Sequence, residues 1–233
     1  MTGYSIDKNF KFRFKKGLHD KGKKEFFGKK GKFNAHDMIN TILEQPTAAE
    51  FIVKKLWFAF IGTTPEAEDI ERLATLFRTN NYEMKPLIHA LLTSNAFTAS
   101  SHYGTMIKSP IELIVGTLRS FEYRDFDPKI ALQYSKRLGQ DLLDPPNVKG
   151  WAGGESWINT NTLLIRRSFL NRLTRGDAMQ HLKYDLFESE TMGQSIESRA
   201  AETLLPVNVF ITPAPKFNQT LRTILQHPLY QLK

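Results

Sequence analysis

From residue 34 onward the chain repeats one device: apolar residues at helical spacing, cut into short runs by proline, asparagine or glycine. That punctuation restricts the fold more than any other feature, because strands need alternation and a coiled coil needs unbroken heptads. Met38, Ile39, Ile42 and Leu43 make the first run, ended by Pro46. Thr47-Ala-Ala-Glu50 has capping-box spacing and predicts a helix with Phe51, Ile52, Leu56 and Phe60 on its inner face. Thr64-Pro65 reads as N-cap and first position of the next helix, with Ile70, Leu73, Ala74 and Phe77 inside and Asn80-Asn81 as its stop. Leu87, Ile88, Leu91 and Leu92 mark a short one.

Ser109-Pro110-Ile-Glu112 is a capping box with proline inside it, and Asp127-Pro128 opens the following helix, which Gly139 stops. Leu163 to Leu173, then Ile196, Ala200 and Leu204, then Phe217, Leu221, Ile224 and Leu225 complete the pattern; His227-Pro228 ends the last. Residues 176–194 are polar and mixed, a connection or a short helix. The expected fold is mainly α, a multi-helix domain over residues 34–233 preceded by a short N-terminal β-hairpin in an arm of residues 1–33.

Residues 139–158, GQDLLDPPNVKGWAGGESWI, interrupt the helices with a stiff loop. Pro145-Pro146 removes two amide donors, and Gly150, Gly153 and Gly154 open backbone angles closed to other residues and permit close approach of a backbone or ligand. Trp151 and Trp157 lie here beside Asn147, Lys149, Glu155 and Asn159. Flat rings beside amides and charges suit a glycan or another polar ring. The other reading is that both indoles plug the helical core and the glycines only turn the chain. Arg166-Arg167 follow on the next helix; one is expected to pair with Asp144 or Glu155, the alternative being a clamp on an anionic ligand above Trp157.

The arm holds the charge. The chain has a formal charge of +8, with 32 Lys and Arg against 24 Asp and Glu. Residues 1–33 carry the whole excess, while the remainder is balanced. A nucleic-acid patch is therefore confined to the arm. Phe10-Lys-Phe-Arg-Phe14 alternates strictly, placing three rings on one strand face and basic groups on the other, and predicts a hairpin with an extended piece around Glu25 to Gly28. Uncharged stretches such as Leu56 to Thr64 fall short of the about 20 apolar residues that span a bilayer. The sequence lacks cysteine, which excludes disulfides and thiolate chemistry but leaves the compartment open.

Catalytic signatures are sparse. His19-Asp20 with Lys24 is the best candidate: a carboxylate can orient an imidazole and a lysine can stabilise developing anionic charge. A loop-bracing histidine is the alternative. The histidines (His19, His36, His89, His102, His181 and His227) form no metal-binding spacing, and no phosphate loop, dinucleotide fingerprint or nucleophile elbow occurs, so no metal or cofactor is expected.

The run at 139–158 resembles the C-terminal signature of the bacterial family called domain of unknown function 1800, with its GQ, PPNVKGW, glycine pair and tryptophan. Thr2-Gly3-Tyr4 is similar to the end of the family's ALTGW segment, and His19-Asp20-Lys21-Gly22-Lys23-Lys24 to its HD-x-G-x-K motif. Pro46-Thr-Ala-Ala with Lys55-Leu56-Trp57, Lys108-Ser-Pro110, and Pro228-Leu-Tyr230-Gln231 also match, the last with leucine where the family has glutamate. Family members are generally longer, so the resemblance implies a C-terminal half, with Phe10, Phe12 and Phe14 docking on a missing N-terminal half. It also implies an exported setting and a partner from domain of unknown function 1501, and it establishes no activity.

Three functions remain open: an extracytoplasmic binding or scaffold module using the Trp151 and Trp157 loop on a glycan or protein; half of a hydrolase-like enzyme using His19, Asp20 and Lys24; and nucleic-acid binding through the arm, the least favoured.

Overall fold

The computed structural model describes residues 2–175, 178, 182, 183, 187 and 194–233. The chain divides into two compact units, Met1–Thr98 and Ala99–Lys233. Most of the connection at 176–194 lies outside the described residues.

The first unit opens with two small antiparallel hairpins. Strand β1 (Tyr4–Ile6) pairs with β2 (Phe12–Phe14), and β3 (Lys24–Phe26) with β4 (Lys29–Gly31). The expected pairing of the Phe10–Phe14 segment with Glu25–Gly28 is thus wrong, and turn chemistry explains why. Asp7 closes the first hairpin: its Oδ1 accepts the Asn9 and Lys11 amides at 2.9 and 3.0 Å, and its Oδ2 accepts from Arg13 Nε at 3.1 Å. Phe27-Gly28 closes the second with both residues at positive φ, the two-residue turn that matches strand twist. Each strand finds a partner a few residues away, at lower closure entropy than a pairing across Gly17 to Lys24. Phe10, expected in the strand, sits in the turn at φ 58°.

Helices α1 (Ala35–Leu43), α2 (Pro46–Phe60), α3 (Ala67–Thr79), α4 (Met84–Leu92) and the single turn α5 (Asn95–Thr98), which periodicity missed, complete the unit. Asn34 caps α1 in a reciprocal box with Asp37. The predicted Thr47–Glu50 box does not form, because Pro46 takes the first helical position and draws the start forward to Gln45. The Thr64-Pro65 start is also displaced; α3 begins two residues later, behind Glu66.

Its core is Ala49, Val53, Trp57 and Ile61 packed on Leu73, Ala74, Phe77, Leu87 and Leu91. On α2 the buried face is therefore rotated from the predicted one: Phe51 and Phe60 are exposed. Apolar residues surround this helix, so spacing alone does not select a face; the indole of Trp57 does, with the largest area to bury.

The second unit contains α6 (Pro110–Ser120), α7 (Pro128–Arg137), α8 (Thr160–Leu173), α9 (Ile196–Leu204) and α10 (Phe217–Gln226). The Ser109–Glu112 box and the Asp127 cap form as predicted. Gly139 ends α7 at φ 89°, with the Gln140 amide donating to the Ser135 carbonyl at 3.0 Å. Phe169, Leu170 and Leu173 of α8 centre a core with Leu113, Ile114, Phe121, Leu221, Ile224 and Leu225. The fold is mainly α. Among the described residues no helix is long and apolar enough to cross a membrane.

Candidate functional site

Three places gather the residues that the sequence singles out. The first is the 139–158 loop, which ties itself down by local bonds. The Asp144 amide donates to the Asp141 carbonyl at 3.1 Å, Asn147 Oδ1 accepts the Lys149 amide at 2.8 Å, and the Asn147 carbonyl accepts the Gly150 amide at 3.0 Å. Gly150 and Gly153 adopt φ 81° and 78°, and a 3-10 turn over Gly154–Trp157 leads to Asn159, which caps α8 through the Thr162 amide. Among the described residues other than each glycine's chain neighbours, nothing lies within 4 Å of the Cβ position at Gly139, Gly150, Gly153 or Gly154, so there they serve the turn angles rather than a close approach.

The two indoles part company. Trp157 is buried, 7% exposed, whereas Trp151 is half-buried. The loop instead presents aliphatic groups that sequence reasoning passed over: Leu143 is 90% exposed at φ 69°, and Val148 is fully open. Asn147 and Lys149 are exposed beside them. A leucine at positive φ is strained, and strain of this kind collects at contact sites. A local signal was present, since Leu142-Leu143 and Val148 flank Pro145-Pro146 in a stretch with no helical periodicity.

The second place is on α8, the helix that follows the loop. Arg166 of α8 is fully buried, and it pairs with neither Asp144 nor Glu155. Its Nη2 donates to the Lys108 carbonyl at 2.8 Å and its Nη1 to Gln231 Oε1 at 3.1 Å, while Nε has no partner among the described residues. The expected pairing fails because residue 166 falls on the inner face of α8, turned toward the core. Arg167, on the outer side, donates to Gln226 Oε1 at 3.2 Å.

Lys108 completes this cluster. Its Nζ donates to the Tyr230 carbonyl at 2.8 Å and stands 4.0 Å over the Tyr230 ring. Tyr230 Oη meets Thr117 Oγ1 at 2.8 Å, and Gln140 Oε1 accepts the Ile111 amide at 2.9 Å. An antiparallel bridge between Ile107 and Leu232 sets the two segments side by side. Lys108-Ser-Pro110 and Tyr230-Gln231, far apart in sequence, thus converge on one arginine, while Gln140 ties the start of α6 to the end of α7.

Burial drives the electrostatics. It pushes Lys108 down to about 8, a shift that Glu112 opposes and that Arg166 and Lys233 reinforce. Burial lowers Arg166 to about 10 and raises Tyr230 to about 12, the latter partly offset by the Thr117 bond. Burial also works against the Glu112 carboxylate, but hydrogen bonds from Lys233 and the Ser109 amide hold it below its ordinary value.

The third place is the His19 turn. His19 Nδ1 meets the Thr2 carbonyl at 3.0 Å; a carbonyl only accepts, so Nδ1 is the donor. The Asp20 amide donates to Thr2 Oγ1, and Asp20 Oδ1 accepts the Gly22 amide at 2.7 Å. Lys24 Nζ donates to the Asp20 carbonyl at 2.6 Å and to the Gly22 carbonyl at 3.1 Å, and stands 3.6 Å from Asp20 Oδ2. The Asp20 carboxyl lies below its ordinary value, first through the Gly22 bond and then through Lys24. His19 and Asp20 are thus tied to separate backbone groups rather than to each other. Gly3 is fixed here: at φ 83°, a Cβ would meet the Lys15 carbonyl at 2.9 Å.

The chain belongs to the family described as protein of unknown function (DUF1800), whose pattern it matches over residues 1–232. No curated protein matches the chain, and no solved structure does.

Proposed function

We propose that this DUF1800 member is a binding or scaffold module whose 139–158 loop contacts another protein. One observation carries the reading: Leu143 and Val148, both aliphatic, are held out in solvent on a loop stiffened by two prolines and its own hydrogen bonds. A preorganised apolar tip loses little entropy on docking, and its burial drives association. Trp151, half-buried beside it, extends the contact. A protein surface suits these groups better than a glycan, because sugar recognition asks for open rings and Trp157 is withdrawn. The exported setting and the domain-of-unknown-function-1501 partner that the resemblance implies belong to this proposal.

A photo-reactive phenylalanine analogue at position 148 tests it. In the native cell, irradiation is expected to give one discrete protein adduct, reproduced with a purified domain-of-unknown-function-1501 protein or identified by mass. The same analogue at exposed Glu71 on α3 serves as control. An adduct pattern no different from that control would defeat the proposal.

A further inference from the structure

We propose that residues 207–212 are a docking edge for an extended peptide, which adds to them as a β-strand with its basic side chains turned toward α9. Between Pro206 and Pro213 burial alternates residue by residue: Val207, Val209 and Ile211 are partly buried, and Asn208, Phe210 and Thr212 are exposed. Val209 and Ile211 pack on the core of the second unit, while Phe210 is 89% exposed. A period of two marks extended chain, and valine, isoleucine, phenylalanine and threonine are residues that strands favour. Yet the segment belongs to no sheet. Its flanks are tied, the Leu205 amide to the Ala201 carbonyl at 2.9 Å and the Ala214 amide to Thr220 Oγ1 at 2.8 Å. From 207 to 212, no backbone amide or carbonyl is hydrogen-bonded among the described residues. Such a row of unused donors and acceptors is what a further strand pairs with.

Charge selects the peptide. A groove of about 350 Å³ runs between this segment and α9, lined by Glu197, Ala201 and Glu202 on one side and by Val209, Phe210 and Ile211 on the other. Neither glutamate has a cation in ion-pair range among the described residues; Glu202 accepts from the Gln194 side-chain amide at 3.5 Å. A strand laid along 207–212 sends alternate side chains to opposite faces. One set turns toward Glu197 and Glu202, and the other lies beside the Phe210 ring, so basic residues alternating with apolar ones satisfy both. Main-chain bonds supply the affinity and the two faces supply the selection. A second copy of the same segment is the poorer fit, because it brings its own two glutamates against these.

The test is fluorescence anisotropy of the labelled peptide Thr-Val-Lys-Val-Lys-Val-Thr titrated with the full chain. Saturable binding is expected at low salt, with binding weaker by about tenfold or more for the version carrying glutamate in place of lysine. Methylating the valine amides and methylating the lysine amides block opposite edges of the peptide, so one methylated peptide is expected to bind and the other to fail. Phe210→Ser, and Glu197→Gln with Glu202→Gln, are each expected to weaken binding by about threefold or more. Helicity is expected to hold in both, since none of these side chains belongs to the core. Absence of binding at low salt, equal binding of the glutamate version, like behaviour of the two methylated peptides, or a protein variant without effect would each overturn the proposal. So would dimerisation of the chain that Phe210→Ser abolishes, which would give the edge to a second copy. None of these outcomes depends on the 139–158 loop, so the two proposals stand or fall separately.

Discussion

Arg166 holds Lys108 and Gln231 together: one guanidinium nitrogen donates to the Lys108 carbonyl at 2.8 Å and the other to the Gln231 side chain at 3.1 Å. Three segments of the second unit meet at this side chain, which no carboxylate neutralises among the described residues. Its planar fork serves as a two-way hydrogen-bond clamp.

Arg166→Ala is therefore expected to lower unfolding stability by about 2–4 kcal/mol, because it leaves a cavity and strips the Lys108 carbonyl and the buried Gln231 side-chain oxygen of their donor. Arg166→Lys is expected to recover little, since an ammonium on a shorter reach does not span both acceptors. Urea denaturation measures both. A lysine variant as stable as the parent would show that charge, not the fork, matters here.

Lys108 gives a pH signature. Its folded value of about 8 lies below the ordinary 10.5, so between these values the unfolded chain binds more protons than the folded one. Stability must then rise as pH increases from about 8 toward 10, and below 8 the full cost of the buried charge is present. Tyr230 acts oppositely, but only above the ordinary tyrosine value of 10, where an unfolded tyrosine ionises and the buried one does not. Denaturation midpoints compared at pH 8 and 9.5 are expected to increase, and Lys108→Met is expected to flatten the increase. Equal slopes in both proteins would assign the effect elsewhere.

The positions of Lys108, Gln140 and Tyr230 show how far the sequence could be read. Helices with proline or asparagine punctuation were legible because their signals are local: the Ser109 box, the Asp127 cap and the Gly139 stop act within one turn. Faces were less so, since the burial of Trp57 over Phe51 and Phe60 is decided by neighbouring helices. The strand partners of Phe12 and Phe14 were missed because Asp7 and Phe27-Gly28 favour short closures that outcompete a longer one. The Arg166 clamp was beyond reach: its acceptors lie 58 and 65 positions away, and one is a backbone carbonyl, which carries no sequence mark.

The His19 turn yields a prediction about order rather than rate. Asp20 has a depressed carboxyl value, so its contribution is present above the ordinary carboxylate range and is lost as pH falls through the lower folded value. Asp20→Asn keeps the shape but not the charge that Lys24 faces at 3.6 Å. Amide exchange at Gly22 is expected to accelerate in this variant, with the helices of the unit unaffected. Unchanged exchange at Gly22 would mean that the turn does not depend on the carboxylate.

Leu143 separates stability from binding in one substitution. At φ 69° its Cβ crowds its own backbone, and its side chain, 90% exposed, gains almost nothing in return within this chain. Leu143→Gly removes the steric cost of about 1 kcal/mol, though glycine also loosens the unfolded chain by a comparable amount, so the melting temperature is expected to stay level or rise slightly. The same change deletes a projecting group from the loop tip. If the tip is a contact surface, the Val148-centred adduct is expected to fall several-fold while thermal stability holds, the exchange of stability for function seen where strain is kept at a site. A clear drop in melting temperature would instead place Leu143 among residues that hold the loop together, and would remove the reason for reading its exposure as a contact.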